Sequence, residues 1–257
     1  SKASLSKNDK GKAVLIVKEN CVIAGLELAE IIYKKYESKI NFRYLVNDGD
    51  KINAGTKGFI VEGNSLSILA MERLVLNCIQ RMSGIASLTS RYKKIISKTS
   101  CKLLDTRKTT PNFRYPEKWA VLIGGGNNHR MGLYDALMIK DNHIDFGGGV
   151  NLVLEKTKRY LSGLGKEYDL IVETRNLKEV KDVLNYNIVT RILLDNMDIN
   201  EIKKALSLIG NKKPTEASGN IDKSNILAIA KTGVNFISLG CLTHSAKPID
   251  ISLKVSK

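Results

Sequence analysis

The sequence predicts an α/β protein in which a small α/β domain precedes a barrel of parallel strands. From residue 101 onward, short apolar runs each end in a polar cluster, and amphipathic segments such as NLKEVKDVLNYN and INEIKKALSLIG stand between several of them. The polar clusters recur evenly, with 22 residues from Glu173 to Asp195, 23 from Asp195 to Ser218 and 22 from Ser218 to Gly240. Strands that alternate with helices at such a period are typical of repeated βα units and a parallel barrel.

Residues 13–65 predict a strand, a helix, a second strand and a hairpin. AVLIVKEN is a short apolar run, GLELAEIIYKKY has apolar residues at helical spacing, and INFRYLV alternates as a strand does. NDGDKINAGTKGFIVEG places turn residues between β-prone runs. Its DGD turn resembles that of biotinyl and lipoyl carriers but has no Met-Lys-Met tip, so a strand connection is expected rather than a carrier site.

Residues 66–97 predict a long helix that links the two parts, with a break at Ser83-Gly84. Its buried face is expected to carry Leu66, Leu69, Leu74, Cys78 and Met82.

The composition of the 257-residue chain is that of a globular protein, with 43% hydrophobic and 26% charged residues. No run of about 18 apolar residues exists, so no membrane span is expected, and the polar N-terminus lacks the apolar core of a signal peptide. The four cysteines are scattered without CxxC spacing: Cys21, Cys78, Cys101 and Cys241. This pattern favours a reducing, cytoplasmic location.

The net charge of +15 raises the alternative of nucleic-acid binding. Of the 41 basic residues, 31 are lysines spread along the chain, and no RNP1-like motif, zinc finger or KH-type loop is present. A solvated basic surface, which would also attract small polyanions, is the simpler interpretation.

Polar residues at the ends of parallel strands converge on one mouth of a barrel, where catalytic groups lie. The residues placed there are Arg107, Lys140, Glu173, Asp195, Ser218 and Gly240. Lys108, His129 and Arg130 add cations or donors, and the SGN and LGCLTHS turns offer backbone N–H groups that suit a phosphate. The mouth is therefore expected to bind a carboxylate-bearing substrate, a phosphate and a divalent cation held by the two acids.

The three histidines allow competing interpretations. His129 and His143 have no third ligand at a spacing suited to zinc, and His143 is expected to hydrogen-bond locally within the KDNH turn. For His244, facing a phosphate and capping a helix are equally open.

Several long motifs resemble those of the quinolinate phosphoribosyltransferase family, also called carboxylating nicotinate-nucleotide pyrophosphorylases. They are DTRKTTPNFR, EKWAVLIGGGNNHRMGLYDALMIKDNHI, VET, LLDNM, EASGN and SLGCLTHS. The resemblance implies a small α/β sandwich domain with a linking helix (residues 1–98) and an incomplete, seven-stranded α/β barrel (residues 99–245). Residues 246–257 would form a strand that returns to the first domain.

The resemblance also implies a reaction and a set of site residues. Quinolinate and phosphoribosyl pyrophosphate would give nicotinate mononucleotide, pyrophosphate and carbon dioxide, with Mg²⁺ and no organic cofactor. Arg107, His129 and Arg130 would hold the quinolinate carboxylates, with Thr106 beside them, and Lys108 and Lys140 would lie between the ring acid and the phosphates. Glu173 and Asp195 would face the ribose and the Mg²⁺, and Lys140, Glu173 and Asp195 would be catalytic. Ser218, Gly219, Asn220, Gly240 and His244 would receive the 5′-phosphate.

The same resemblance implies a homodimer, or a multiple of dimers, in which Arg81 reaches the neighbouring subunit's site. No nucleic-acid or membrane partner is expected. Two alternatives stay open: a phosphoribosyltransferase for another ring acid such as nicotinate, and a basic RNA-binding protein with an inactive barrel. The chain departs from the family in lacking an initial helix and acidic segment, which suggests truncation. Asn112 also stands where glycine is usual, a change expected to be tolerated.

Overall fold

The computed structural model describes residues 3–165 and 167–256, which form two compact units. The first unit contains the chain up to Arg91, Lys108–Gly126 and the residues from Cys241 onward; the second contains Tyr92–Arg107 and Asn127–Gly240. The predicted domain ranges stay a prediction, and their outer ends at residues 1 and 257 lie outside the described residues. Within the described ranges, no helix is both long and apolar enough to cross a membrane.

Strands and helices alternate along much of the chain. In order from the N-terminus they are β1 (Lys10–Val17), β2 (Cys21–Val22), α1 (Leu26–Tyr36), β3 (Asn41–Tyr44), β4 (Lys51–Ile52), β5 (Lys57–Asn64), α2 (Ser65–Ile95), β6 (Lys102–Leu104), α3 (Arg114–Ile123), β7 (Ala136–Ile139), α4 (Asp141–Gly147), α5 (Val150–Ser162), β8 (Asp169–Thr174), α6 (Leu177–Leu184), β9 (Arg191–Asp195), α7 (Ile199–Ile209), β10 (Thr215–Ser218), α8 (Ile226–Ala230), β11 (Phe236–Ser238), α9 (Cys241–His244) and β12 (Ile251–Val255).

The first unit is built on a four-stranded sheet with the strand order β12-β1-β5-β3. Every pair in it is antiparallel, and β12 lies beside β1 with Leu253 opposite Leu15. One face of this sheet packs on apolar residues of α1 and α2, around the aromatic rings of Tyr33, Phe42 and Phe59. The Phe42 and Phe59 ring centroids are 4.4 Å apart, which is close aromatic packing.

Helix α2 runs without interruption through Ser83-Gly84, so the predicted break is wrong. Glycine is needed there for a different reason: a Cβ at Gly84 would lie 2.1 Å from the carbonyl oxygen of Lys247. The Ser83 hydroxyl oxygen accepts the Ala24 N–H at 3.0 Å. A small residue in this helix therefore marks close packing within the first unit rather than a helix end.

The predicted buried face of α2 was also partly wrong. Leu69 and Leu74 are 39% and 51% exposed, whereas Cys78 and Met82 are buried as expected. The buried face is completed by Ile68, Val75, Leu76 and Ile79. An apolar-rich helix offers several stripes at helical spacing, and only its packing partners select one of them.

The second unit contains one six-stranded parallel sheet with the order β6-β11-β10-β9-β8-β7. Each of its six strands overlaps one of the apolar runs of the sequence, and β7 begins one residue before its run. The runs are KLLDTRK, LMIKDNH, DLIVETR, RILLDNM, PTEASGN and FISLGCLTHS. Helices α6 and α7 lie within the two amphipathic segments. The predicted α/β fold class, with a small separate sheet and a parallel βα sheet, is confirmed.

The strand count differs from the seven expected. Beside β6, the described chain has only an isolated parallel bridge between Leu104 and Asn127. The three glycines before Asn127 explain this, because Gly125 has a φ of 85°, a left-handed conformation incompatible with a strand. The bridge is still tied on both sides, since Asn127 N donates to Leu103 O and Asp105 N donates to Asn127 O.

Local sequence sets the helix boundaries on the second sheet. Asp198 caps α7 by accepting the N–H groups of Asn200 and Glu201, and the Glu201 side chain accepts the Asp198 N–H. Gly210 ends the same helix in a left-handed conformation. Such sharp starts and stops fix where the loops at the strand ends begin.

Candidate active site

The predicted site residues of the second unit follow the carboxyl ends of its parallel strands. Lys140 follows β7, Glu173 is the last but one residue of β8, and Asp195 and Ser218 end β9 and β10. Thr106 and Gly240 come two residues after β6 and β11. Because parallel strands end at one edge of a sheet, these residues share one edge, where ligands bind in α/β proteins.

Register places the acidic residues on one face of the sheet. Glu173 is paired with Leu193, and Asp195, two residues further along β9, is paired with Ser218. Side chains two residues apart on a strand point to the same face. Glu173, Asp195 and Ser218 therefore project together.

Arg107 and Arg130 form a partly buried pair of like charges. Burial lowers the pKa of Arg130, and the neighbouring Arg107 guanidinium lowers it further, while Asp135 opposes the shift. Arg130 is also anchored by a hydrogen bond from its guanidinium to the carbonyl oxygen of Ala136 at 3.2 Å. Two adjacent guanidinium groups withdrawn from water form a site suited to a ligand with more than one negative charge.

His129 directly precedes Arg130 in the sequence and is held by three contacts. Its backbone N–H donates to the buried carboxylate of Asp105 at 2.8 Å, and its Nδ1 accepts the Arg130 N–H at 2.7 Å. Its Nε2 lies 3.4 Å from Oε1 of Glu216, and the imidazole is only 7% exposed. The ring is therefore fixed in place at the start of the Arg130 segment.

Lys140 and Glu173 lie on neighbouring strands and form an ion pair. Lys140 Nζ is 3.6 Å from Glu173 Oε2, with a half-exposed lysine and a glutamate side chain that is 10% exposed. Burial raises the pKa of Glu173; Lys140 lowers it, and the carboxylates of Asp195 and Asp141 raise it. This site thus combines a half-exposed cation with a partly desolvated acid.

His143 stabilises the turn that carries Lys140, as predicted. Its Nδ1 accepts the Lys140 N–H at 2.9 Å, while the Lys140 carbonyl oxygen accepts the N–H groups of His143 and Ile144. The KDNH motif is therefore a helix start that orients the lysine.

Asp195 and the Ser218–Asn220 turn are joined by amide side chains. Asn196 Nδ2 donates to Asp195 Oδ2 at 2.7 Å, and Asn220 Nδ2 donates to Asn196 Oδ1 at 3.1 Å. A Cβ at Gly219 would lie 2.1 Å from the same Asn196 oxygen, and Gly219 has a φ of 88°. Only glycine fits this turn without displacing Asn196.

Three predicted residues lie in the first unit. Arg81 pairs with the buried Glu117 at 2.9 Å and donates to the carbonyl oxygens of Thr243 and Ala246. The Lys108 carbonyl oxygen accepts the Thr243 hydroxyl at 2.7 Å, and its side chain is exposed. His244 is exposed at the end of α9, and its Nδ1 lies 2.6 Å from the Ser245 hydroxyl. These contacts give Arg81 a structural role within its own unit.

Asn112 adopts a φ of 60°. Asparagine tolerates this left-handed conformation better than most other non-glycine residues do, which accords with the expectation that asparagine is acceptable here.

Sequence reasoning missed four residues that support the site: Asp105, Arg191, Asn196 and Glu216. Asp105 and Glu216 stand inside the DTRKTTPNFR and EASGN motifs, shortly before the predicted site residues Thr106 and Ser218. Their burial, 0% exposed in both cases, is what separates them from surface acids. Strand alternation could have indicated that Glu216 and Ser218 face the same side.

The described residues contain no cluster of three or more His, Cys, Asp or Glu side chains able to hold a metal ion. Glu173 and Asp195 supply two carboxylates. That donor set fits Mg²⁺, which is often bound by one or two carboxylates together with substrate phosphates.

The fold and the site define a βα-sheet protein whose mouth combines clustered cations, two carboxylates and glycine turns suited to anionic ligands. Two family models match the chain. "Quinolinate phosphoribosyl transferase, N-terminal domain" covers residues 1–83, and "Quinolinate phosphoribosyl transferase, C-terminal domain" covers residues 85–254. The chain belongs to the quinolinate phosphoribosyltransferase family, as its motifs predicted.

Individual relatives agree with this membership. The chain is 44% identical over 268 residues to "Quinolinate phosphoribosyltransferase (decarboxylating) 2b, mitochondrial" of Nicotiana tabacum, covering 99% of this chain and 76% of that protein. It is 44% identical over 258 residues to "Nicotinate-nucleotide pyrophosphorylase (carboxylating), chloroplastic" of Arabidopsis thaliana, covering 95% and 74%. The solved nicotinate-nucleotide pyrophosphorylase of Francisella tularensis is similar with a TM-score of 0.90 and 40% identity, covering 99% and 89%.

Proposed function

We propose that this protein transfers the phosphoribosyl group of phosphoribosyl pyrophosphate to quinolinate and removes one carboxylate. The products are nicotinate mononucleotide, pyrophosphate and carbon dioxide. The observation that carries the proposal is the partly buried Arg107–Arg130 pair, because adjacent like charges favour a dianion such as quinolinate over a monoanion such as nicotinate.

In the proposed reaction the pyridine nitrogen attacks C1′ of the ribose as the bond to pyrophosphate breaks. Arg107 and Arg130 orient the ring through its two carboxylates, so much of the rate gain comes from positioning. Glu173 and Asp195 stabilise the positive charge that develops on the ribose. Ser218, Gly219, Asn220 and Gly240 would receive the 5′-phosphate through backbone N–H groups; His244 is a further candidate for this contact.

Decarboxylation then follows on the quaternised ring. The C2 carboxylate leaves as carbon dioxide, its bonding electrons remain on C2, and C2 takes up a proton. We assign Lys140 to stabilise that carbanion and to supply the proton, since its ammonium group is half-exposed and lies beside Glu173. Glu173 and Asp195 would hold Mg²⁺, and the bound ion would supply positive charge to offset that of pyrophosphate.

The test is product formation from phosphoribosyl pyrophosphate and Mg²⁺ with quinolinate or nicotinate in parallel. Nicotinate mononucleotide from quinolinate alone, lost on chelating Mg²⁺ and regained on adding it back, is the expected result. Product from nicotinate would instead identify a phosphoribosyltransferase for another ring acid. RNA affinity that falls steeply with salt, without turnover of either acid, would favour the RNA-binding alternative.

The proposed assembly is a homodimer, or a multiple of dimers, in which Arg81 reaches the neighbouring subunit's site. Its support is the family resemblance of LNCIQRMSG, residues 76–84, which contains Arg81. To reach a neighbouring subunit, Arg81 would first have to release its contacts with Glu117, Thr243 and Ala246. Mixing inactive Arg81→Ala and Asp195→Asn subunits should restore activity, since one site of the mixed dimer would keep both residues. If mixing restores nothing, Arg81 acts only inside its own unit.

The proposed location is the cytoplasm. Its support is the set of four scattered cysteines, which are free thiols in the structure and suit a reducing compartment. The two plant relatives are named as mitochondrial and chloroplastic proteins, and fractionation of cells that express this chain distinguishes the three compartments.

A further inference from the structure

Glu216 is a fully buried carboxylate on β10, two residues before the Ser218 turn. Its Oε2 lies 3.0 Å from the Arg191 guanidinium, and its Oε1 faces His129 Nε2. Burial alone would raise the pKa of Glu216, but its interactions with His129, Ser238 and Arg191 lower it. Because isolated buried charges are costly, an ionised Glu216 requires these partners.

Arg191 is itself held in place on the neighbouring strand. Its guanidinium lies 4.2 Å from the ring centroid of Phe236 at the start of β11, and its side chain is 22% exposed. Three adjacent strands, β9, β10 and β11, therefore fix the Glu216 carboxylate. The Glu216 carboxylate is therefore held in one position beside His129.

The contacts of His129 determine which ring nitrogen carries the proton. Nδ1 accepts the Arg130 N–H and the Glu216 carboxylate faces Nε2, so the two contacts together favour the neutral tautomer with its proton on Nε2. The 3.4 Å separation is long for a hydrogen bond, so the ring N–H and the buried carboxylate make a weak, directional contact.

These contacts join Glu216 to Arg130 through the imidazole of His129. We propose that Glu216, held by Arg191, is a positioning residue that fixes the tautomer and orientation of His129 and thereby places Arg130 for binding the substrate dicarboxylate. The inference rests on the proposed function. It adds a buried residue, Glu216, to which the family resemblance gave no role.

A double-mutant cycle tests whether Glu216 acts through His129. Glu216→Gln, nearly identical in size, is expected to raise KM for quinolinate roughly tenfold, the size of one coupled contact, with KM for phosphoribosyl pyrophosphate unchanged. Glu167→Gln, at an exposed position of the same unit, is the matched control. In a His129→Ala background the Glu216→Gln change should add no further loss. Losses that multiply in the double variant would overturn the inference.

A second variant covers the case in which Glu216→Gln does not fold, because a lone Arg191 would then be left partly buried. Arg191→Met/Glu216→Leu replaces the ion pair by apolar groups, which buried sites often accept without loss of stability. It should show the same selective rise in KM for quinolinate. An unchanged KM in this folded variant would contradict the positioning role.

Nitrogen-15 NMR of the histidine side chains gives a readout independent of turnover. The chain has three histidines, and His129 should show a protonated Nε2 and an accepting Nδ1. In Glu216→Gln this single tautomer is expected to give way to a mixture; an unaltered spectrum would overturn the inference. If the unaltered protein forms no nicotinate mononucleotide, the proposed function fails, while the NMR result still decides whether Glu216 fixes the ring.

Discussion

Replacing Arg107 by alanine is expected to lower kcat/KM for quinolinate by roughly 10³-fold. A guanidinium binds a carboxylate through two parallel charge-assisted hydrogen bonds of about 1.5–3 kcal/mol each, and about 1.4 kcal/mol corresponds to a tenfold change. Removing Arg107 also relieves its repulsion of Arg130. That gain is smaller than the loss, because one of the two substrate carboxylates would then enter a partly buried site without its partner. Initial-rate kinetics over a range of quinolinate concentrations measure the effect.

Two further variants show whether the loss comes from the carboxylate contact. Arg159→Ala removes an exposed arginine from helix α5 of the same unit and should leave the kinetics unchanged. Arg107→Lys keeps the charge but loses the planar fork, so it should fall between Arg107→Ala and the unaltered protein. A folded Arg107→Ala protein whose kcat/KM stays within about threefold, well under the loss expected of one such contact, would show that another residue binds the acid.

Replacing Lys140 by alanine is expected to lower kcat by at least about 10²-fold, within the range for loss of a positioned proton donor. The effect should fall on kcat more than on KM for quinolinate, because the carbanion forms only after the substrate has bound. Single-turnover release of carbon dioxide measures this step. Lys203→Ala, on the exposed face of α7, is the matched control. Near-full turnover of Lys140→Ala would remove the assigned role.

The same variant predicts a shift in pH dependence. Burial already raises the pKa of Glu173, and Lys140 opposes that shift. Without the lysine the pKa of Glu173 rises further, so less of it is ionised at a given pH and the acid limb of kcat moves to higher pH. Replacing Asp195 by an uncharged residue should have the opposite effect on the pKa of Glu173, because the Asp195 carboxylate raises that pKa. A limb that stays in place or moves to lower pH in Lys140→Ala would contradict the use of Glu173 as an anion.

The second sheet could be predicted closely from the sequence, because parallel strands buried on both faces appear in a sequence as apolar runs with polar ends. Helix α2 was harder to predict. Gly84 has the appearance of a helix break, and its real constraint, the carbonyl oxygen of Lys247, lies 163 residues away in the sequence. Local pattern carries no information about such a neighbour. In the described part of the chain, the segment before Asn127 forms only an isolated bridge with β6 and not a seventh strand. The three glycines that precede Asn127 are a local cause that the sequence shows.

In the site too, local sequence pattern predicted some residues, whereas others depend on contacts made only after folding. Residues at the carboxyl ends of strands, such as Glu173 and Asp195, were placed at the sheet edge by spacing alone. The residues that hold them were not, because support depends on which side chains meet after folding. Asn196 illustrates this: it directly follows Asp195, yet its role appears only when Asn220 is brought within 3.1 Å.

The pairing of β12 with β1 has a consequence for how the protein is made. Leu15 and Leu253 pair although they are 238 residues apart in the sequence. Contacts between residues so distant in sequence form slowly. During synthesis, one edge of β1 therefore stays unpaired until residues 251–255 have left the ribosome. An unpaired strand edge invites pairing with other chains, so the growing polypeptide is expected to be most prone to aggregation before its final strand is added.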